Sequence, residues 1–302
     1  MKLGVIGGAG VLGSTTAFYV AMNNLVDEIV LYDIRENYAI NHAMDLDQGV
    51  CGISSTTVSA GGLDDLKGCD IILNTAGVPE GGRVSRDEYL IDNLPIYMAL
   101  AENIKTWGYY PIIISTSNPM DVLNYKLYEA IGGPRGRYLA LCWNDTLRFK
   151  WAIAKELGLP ATLVDAIVLG EHGAFQVPVY TSAKRKDTGE AIVLTDEQHQ
   201  SVQARISSWF KNVIALKTQR TMGWTSGIGL GTMIEAIVKE SETVIPVSCI
   251  PDGEYGLSGV SLGLPVRLCK EGVREIVEIY LDDEERKGLK AASDKIKSLI
   301  YQ

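Results

Sequence analysis

The sequence predicts an α/β fold, a doubly wound parallel sheet followed by an α+β half, on three observations. Short apolar runs alternate with helix-period segments through the first half, as a parallel sheet with crossover helices requires. A glycine-rich turn, Gly7-Gly8-Ala9-Gly10-Val11-Leu12-Gly13, separates the first such run from the first helical segment. Beyond Trp143 the texture changes to strand pairs and long helices, which predicts two domains, 1–142 and 143–302. A length of 302 residues supports the division, because single hydrophobic cores stop growing near that size.

In chain order, strands are predicted at 3–6, 28–32, 56–60, 71–75, 112–115 and 138–141, with helices at 15–22, 37–46, 89–106 and 122–130 between them. In the second half, 163–169 and 177–183 read as a strand pair, and 184–190 as a polar turn carrying Gly189. Helices follow at 196–220 and 226–239, the second rich in glycine near its start. Trp209, Val213 and Leu216 recur at helical spacing and predict a buried face. Runs at 244–250, 260–262 and 265–268 predict a short antiparallel sheet. The acidic knot Asp282-Asp283-Glu284-Glu285 suits the first turn of a last helix at 283–300, where carboxylates meet the positive end of the helix dipole.

Hydrophobic content of 46% and charged content of 22% describe a folded globular chain. A net charge of -9 without a basic face argues against a nucleic-acid partner. The cysteines number five, an odd count with no C-x-x-C pair, so a reducing compartment and no zinc or other metal site are expected. Met1-Lys2 leads directly into a strand-like run, too short for a signal segment, and no apolar run is long enough to cross a bilayer; a cytoplasmic protein with no membrane partner is expected.

The glycine turn satisfies both G-x-G-x-x-G (Gly8, Gly10, Gly13) and G-x-x-G-x-x-G (Gly7, Gly10, Gly13). Glycines there permit a tight turn and close approach of a pyrophosphate, which the first N–H groups of the next helix, at Val11 and Leu12, would meet. Asp33 ends the second strand about 20 residues after the turn, where a carboxylate accepts hydrogen bonds from an adenosine ribose. Strand, turn, helix and acid in that order predict a Rossmann domain. Because ionised Asp33 repels a 2′-phosphate, NAD is favoured over NADP.

Gly170-Glu171-His172-Gly173 fixes one of three histidines between glycines, downstream of Asp145-x-x-Arg148. Histidine exchanges protons near neutrality, a neighbouring carboxylate raises its hold on the proton, and a guanidinium suits an anionic substrate. With the dinucleotide seat, these residues predict a hydride-transfer site. Blander roles exist for each. His42 and His199 are expected to be structural, and Asp145 could cap a helix running from Thr146. Arg86 could be a solvated charge, Asn118 a turn residue before Pro119, and Thr225 packing.

These motifs together resemble the lactate/malate dehydrogenase family over nearly the whole chain. The resemblance rests on Ala76-Gly77-Val78-Pro79 through Arg86 and Asn93, Ser117-Asn118-Pro119-Met120-Asp121, Asn144-Asp145-Thr146-Leu147-Arg148-Phe149, Gly170-Glu171-His172-Gly173 with Val177-Pro178-Val179, and Gly223-Trp224-Thr225-Ser226. It implies an NAD-dependent L-2-hydroxy acid dehydrogenase whose second half is a substrate domain, assembled as a homodimer or homotetramer. His172 would be the proton donor and acceptor, with Asp145 holding its other ring nitrogen. Arg148 would clamp the substrate carboxylate, and Arg86 would polarise the reacting carbonyl from the Gly81-Gly82-Arg83 segment that closes over the substrate. Asn118 would bond substrate or nicotinamide, Thr225 would line the pocket, and Ala76, Gly77 and Asn93 would border the cofactor.

One departure bears on the substrate. Malate-active members typically carry arginine, and lactate-active members glutamine, where this chain has Glu80. Ionised Glu80 about 4 Å from a second substrate carboxylate would oppose it by about 4 kcal/mol at an effective dielectric of 20. Arg83 could swing in beside it. A neutral, polar or cationic substrate side chain is therefore expected over a dicarboxylate. Ala174 also departs, standing where lactate-active members usually have Asp. Two other readings compete: a short-chain dehydrogenase using Tyr180 and Lys184 of a Y-x-x-x-K, which lacks the hydroxyl expected upstream, and a non-catalytic NAD-binding protein.

Overall fold

A computed structural model describes residues 1–78, 86–218 and 222–301, apart from the side chains of Arg86, Asp87, Phe210 and Ile214. The first half runs β1 (Lys2–Ile6), α1 (Val11–Met22), β2 (Glu28–Tyr32), α2 (Glu36–Val50), β3 (Thr57–Ala60), β4 (Ile71–Asn74), α3 (Leu90–Trp107), β5 (Ile112–Ser115), α4 (Met120–Ile131) and β6 (Tyr138–Ala140). The second half runs α5 (Trp143–Leu157), β7 (Val164–Gly170), β8 (Gln176–Arg185), α6 (Asp196–Ala215), α7 (Trp224–Lys239), β9 (Ile245–Cys249), β10 (Leu262–Cys269), β11 (Gly272–Ile276) and α8 (Asp283–Ile300).

The central strands are apolar up to their last residue, Asn74 in β4 and Ser115 in β5, because helices cover both faces. Ile71, Ile72 and Leu73 of β4 and Ile112, Ile113 and Ile114 of β5 are all buried. Strands β3-β2-β1-β4-β5-β6 pair in parallel in that order, the doubly wound arrangement with its crossover switch beside β1. The fold is therefore mixed α/β with a parallel core. The antiparallel pairing expected of the later runs is present, β9 with β10, and it is continuous with the parallel sheet. A single residue pair, Ala140↔Ser248, joins β9 to β6 antiparallel, and the sheet continues through β10, β7 and β8.

Other differences have local causes. The runs at 260–262 and 265–268 belong largely to one strand, β10, which passes through Pro265. The Pro265 carbonyl accepts from the Val277 N–H at 2.8 Å, so its backbone polar groups face away from β9 and no β9 bond is lost. Strand β11 is an edge strand with Arg274 and Glu275 exposed, so its apolar signal is weak. Helix α6 ends at Ala215, and residues 219 and 220 of the longer expected helix lie outside the described residues. Its buried face is carried by Val202 and Ile206, whereas Leu216 is 72% exposed beyond the helix end. The acidic knot is more than a solvated first turn. Asp282 and Glu285 form a reciprocal capping box, and buried Glu285 also accepts from the Thr181 N–H at 3.0 Å and its Oγ1 at 2.7 Å, tying α8 to β8.

The glycines of α7 join the two halves. Gly223, Gly227 and Gly231 recur every fourth residue on the face that meets α1. A Cβ on Gly227 would lie 2.5 Å from Thr15 Cγ2, and one on Gly223 would lie 3.1 Å from Val11 Cγ1. Only the absence of side chains lets the helix after the glycine turn pack this closely on the second half.

Candidate active site

The glycine turn is shaped by backbone requirements. Gly7 has φ +81°, a left-handed conformation that favours glycine, and the N–H groups of Gly7 and Gly8 both donate to the Tyr32 carbonyl at 2.9 Å. A Cβ at Gly13 would sit 2.5 Å from the Gly7 carbonyl oxygen, and one at Gly8 would sit 2.9 Å from Leu31 Cβ. Gly10 is the N-cap of α1 with no side-chain cap, and the first turn, from Val11 and Leu12, carries no acid. An anion therefore meets helix N–H groups without a competing carboxylate.

Asp33 is buried at the end of β2. Its Oδ2 accepts from the Ala9 N–H at 3.0 Å, and its Oδ1 accepts from the Arg35 N–H at 2.9 Å and from Arg35 Nε at 3.4 Å. Arg35 also donates to the Ala9 carbonyl at 3.2 Å. The sequence reading missed Arg35, whose signal was a cation two residues after the ribose acid. A cradle that any Cβ would fill and an acid pinned beside it fit a dinucleotide.

At the far end of β4, a Cβ on Gly77 would lie 2.7 Å from Ser117 Oγ, which donates to the Ala76 carbonyl at 2.6 Å. Asn93, expected beside the cofactor, is buried and spans two loops. Its Oδ1 accepts from the Val78 N–H at 2.9 Å, and its Nδ2 donates to the Asn118 carbonyl at 2.8 Å. Its side chain thus fastens the Val78 and Asn118 backbones to each other.

His172 and Asp145 meet from opposite elements. Helix α5 begins at Trp143 with Cys142 as N-cap, so Asp145 sits inside the first turn and is not the cap that a helix from Thr146 would give. That turn aims Asp145 Oδ2 at His172 Nδ1, 2.6 Å away, with both side chains buried. Its Oδ1 accepts from Arg148 Nη1 at 3.0 Å, one helical turn on. Of the two glycines around the histidine, the first is demanded by its backbone and the second packs against a folded-back acid. Gly170 has φ +85°, and a Cβ on Gly173 would lie 2.7 Å from Glu171 Oε2, which folds back to accept from the Phe175 N–H at 2.9 Å. His172, Asp145 and Arg148 line one cavity of about 490 Å³ with Trp209 of α6 and Lys295 of α8.

Beneath the histidine lies an acid for which the sequence reading gave no role. Asp121, in the first turn of α4, is buried; its Oδ2 accepts from the His172 backbone N–H at 2.8 Å, and its Oδ1 accepts from Ser248 Oγ at 2.5 Å. Ser248 continues to Ser261 at 2.9 Å, to which Asn124 Nδ2 donates at 2.9 Å. Burial pushes the Asp121 carboxyl up to about 7, against the lowering effect of those two hydrogen bonds, and the nearby Glu171 and Asp145 push the same way.

A stability effect follows. With the folded value near 7 and the unfolded value 3.8, the native state binds more protons between those pH values, so its stability falls as pH rises through that window. Asp121→Asn removes this slope. Urea midpoints measured from pH 4 to 8 are expected to converge with wild type at the acid end and to favour the variant at the alkaline end, by on the order of 4 kcal/mol at most. Parallel curves would show that Asp121 stays ionised throughout.

Not every predicted residue reaches this cavity. Thr225, in the first turn of α7, lines a neighbouring cavity of about 200 Å³ that shares Arg148 and Trp209 with the first. Asn118 stands directly before Pro119, which does border the main cavity. Glu80 and Arg83 lie outside the described residues, as does the side chain of Arg86.

Tyr180 and Lys184 are on a strand, β8, where four residues span about 13 Å, and not on a helix, which would bring them together. The Tyr180 ring lies against His199 with centroids 4.0 Å apart, Lys184 lies 3.8 Å from Asp165, and neither borders the His172 cavity. The short-chain reading fails on that geometry. Among the described residues no group of three or more His, Cys, Asp or Glu is placed to hold a metal, and no helix is long and apolar enough to cross a membrane.

The model of the lactate/malate dehydrogenase NAD-binding domain matches residues 1–140, and that of the family's α/β C-terminal domain matches residues 144–302. The chain belongs to the lactate/malate dehydrogenase family. It is 34% identical over 300 residues to a malate dehydrogenase of Halobacterium salinarum, covering 98% of this chain and 97% of that one. An L-lactate dehydrogenase of Halalkalibacterium halodurans is 29% identical over 297 residues, covering 98% and 95%. Among solved structures, the lactate dehydrogenase of Cryptosporidium parvum, complexed with lactic acid and nicotinamide adenine dinucleotide, superposes with TM-score 0.91 at 28% identity over 99% of this chain and 96% of that one. This family member is an NAD-dependent oxidoreductase, and its relatives carry both substrate names.

Proposed function

We propose that this enzyme interconverts a small L-2-hydroxy acid and its 2-oxoacid, with His172 exchanging the proton and Arg148 holding the substrate carboxylate. The observation that carries the reading is the unbroken chain from Arg148 through Asp145 to His172 along one wall of a cavity. NADH, when bound, supplies the hydride. Asp145 engages Nδ1, so the proton given to the carbonyl oxygen is the one on Nε2, and the same carboxylate stabilises the imidazolium before that transfer. The planar guanidinium grips a carboxylate at two points and fixes the face that the substrate presents. Arg86 would polarise the carbonyl and Asn118 would bond substrate or nicotinamide, while Thr225 lines the smaller cavity on the other side of Arg148. Gly7, Gly8, Gly10 and Gly13 would seat the pyrophosphate, Asp33 would receive the ribose, and Ala76 and Gly77 would border the nicotinamide side.

On substrate class, Glu80 favours a 2-oxoacid with a neutral or cationic side chain over oxaloacetate. The test follows NADH absorbance over a panel of 2-oxoacids with wild type and Glu80→Gln. Wild type is expected to turn over monocarboxylates with at least tenfold higher kcat/KM than oxaloacetate, a floor below the roughly 10³ that about 4 kcal/mol of unscreened repulsion corresponds to, and Glu80→Gln to narrow that gap. A strong wild-type preference for oxaloacetate would refute the substrate class, and no turnover of any 2-oxoacid would refute the reaction.

A further inference from the structure

The guanidinium of Arg148 lies over the indole of Trp209, with Cζ 3.7 Å from the ring centroid. The two residues come from different helices, α5 and α6, and each lines both the His172 cavity and the smaller cavity beside Thr225. They form the partition between the two. We propose that Trp209 is the positioning residue for substrate binding: its ring sets the plane of the Arg148 guanidinium, so that the carboxylate is gripped on the His172 side of the partition. This rests on the reading of Arg148 as the carboxylate clamp.

Three features carry the inference. Stacking engages the face of the guanidinium, whereas a carboxylate is gripped through its in-plane N–H groups, so the two interactions do not compete. Asp145 takes Nη1 at 3.0 Å along one edge of the group, and the indole lies against its face, so the two contacts hold it in different directions. The side chain of Arg148 is only 14% exposed, so the contact is largely shielded from water and stronger than a surface one. Without the indole the guanidinium can tilt into the Thr225 cavity, and a carboxylate that follows it moves away from His172.

The test measures 2-oxoacid and NADH kinetics and thermal midpoints for wild type, Trp209→Phe, Trp209→Leu and Arg148→Lys. Trp209→Leu is expected to raise the 2-oxoacid KM about tenfold, with kcat and the NADH KM within about twofold, because it loosens binding common to ground and transition states. Trp209→Phe, which restores a ring face, is expected to stay within about threefold of wild type. An unchanged KM in Trp209→Leu overturns the proposal, as does Phe behaving no better than Leu, or a loss spread equally over kcat and both KM values with a fallen thermal midpoint. Turnover by wild type with a raised KM in Arg148→Lys keeps the parent reading standing whatever Trp209 does. If wild type turns over no 2-oxoacid, or Arg148→Lys leaves KM unchanged, both readings fall.

Discussion

His172→Asn is expected to lower kcat by about a thousandfold or more while leaving NADH affinity within about twofold, since a positioned general acid contributes 10²–10⁴. The substitution suits the site. The backbone N–H of residue 172 still reaches Asp121 Oδ2, and Gly170 and Gly173 still set the turn, so the loss reports proton transfer and not a collapsed loop. Asp145→Asn should approach the same loss by another route. An amide at 2.6 Å from Nδ1 favours the wrong tautomer and no longer stabilises the imidazolium, and it also weakens the hold on Arg148. Because the two residues act as one unit, the double variant should be little worse than the worse single variant. Steady-state kcat from NADH absorbance, with NADH affinity from fluorescence, checks all three. A His172→Asn enzyme retaining more than a tenth of wild-type kcat would remove the histidine from the chemistry.

What could be read from the sequence follows how far apart the interacting residues lie along the chain. The glycine turn and Asp33 were legible because strand, turn, helix and acid are neighbours in sequence and each is imposed by local backbone geometry. Asp145 and Arg148 were legible as a pair because three residues on a helix share a face. The joining of the two sheets was not, since it hangs on one residue pair, Ala140↔Ser248. Nor was the role of Asp121, whose partner Ser248 is 127 residues away. The Arg148–Trp209 stack was not legible either: the spacing of Trp209, Val213 and Leu216 suggests a buried face, but Val202 and Ile206 carry it, and Trp209 is only partly buried, against Arg148. The Tyr180-x-x-x-Lys184 coincidence shows the converse: a spacing carries chemistry only on the element that makes it a contact, and β8 is a strand.

Arg148→Lys is expected to lower kcat/KM for the 2-oxoacid by about 10²–10³, more than the retained positive charge would suggest. Lysine keeps the charge but loses the planar fork, so a two-point grip becomes one flexible contact, and each hydrogen bond to a charged group contributes about 1.5–3 kcal/mol. Two further interactions go with it. The ammonium has no face to lay on the Trp209 ring, which then sees only the alkyl stem, and the Nη1 contact that steadies Asp145 is no longer held at 3.0 Å by a rigid group. The first effect loosens substrate binding; the second reaches His172 through the carboxylate they share. The loss should therefore divide, most of it in KM and a smaller part in kcat, whereas a clamp acting on the carboxylate alone would raise KM only. Adding guanidinium to the assay separates the two: a free fork bound in the vacated space restores part of kcat/KM if planar recognition is what was lost. A variant with wild-type kcat/KM would mean that Arg148 binds no carboxylate, and the substrate anchor would have to be sought elsewhere in the cavity.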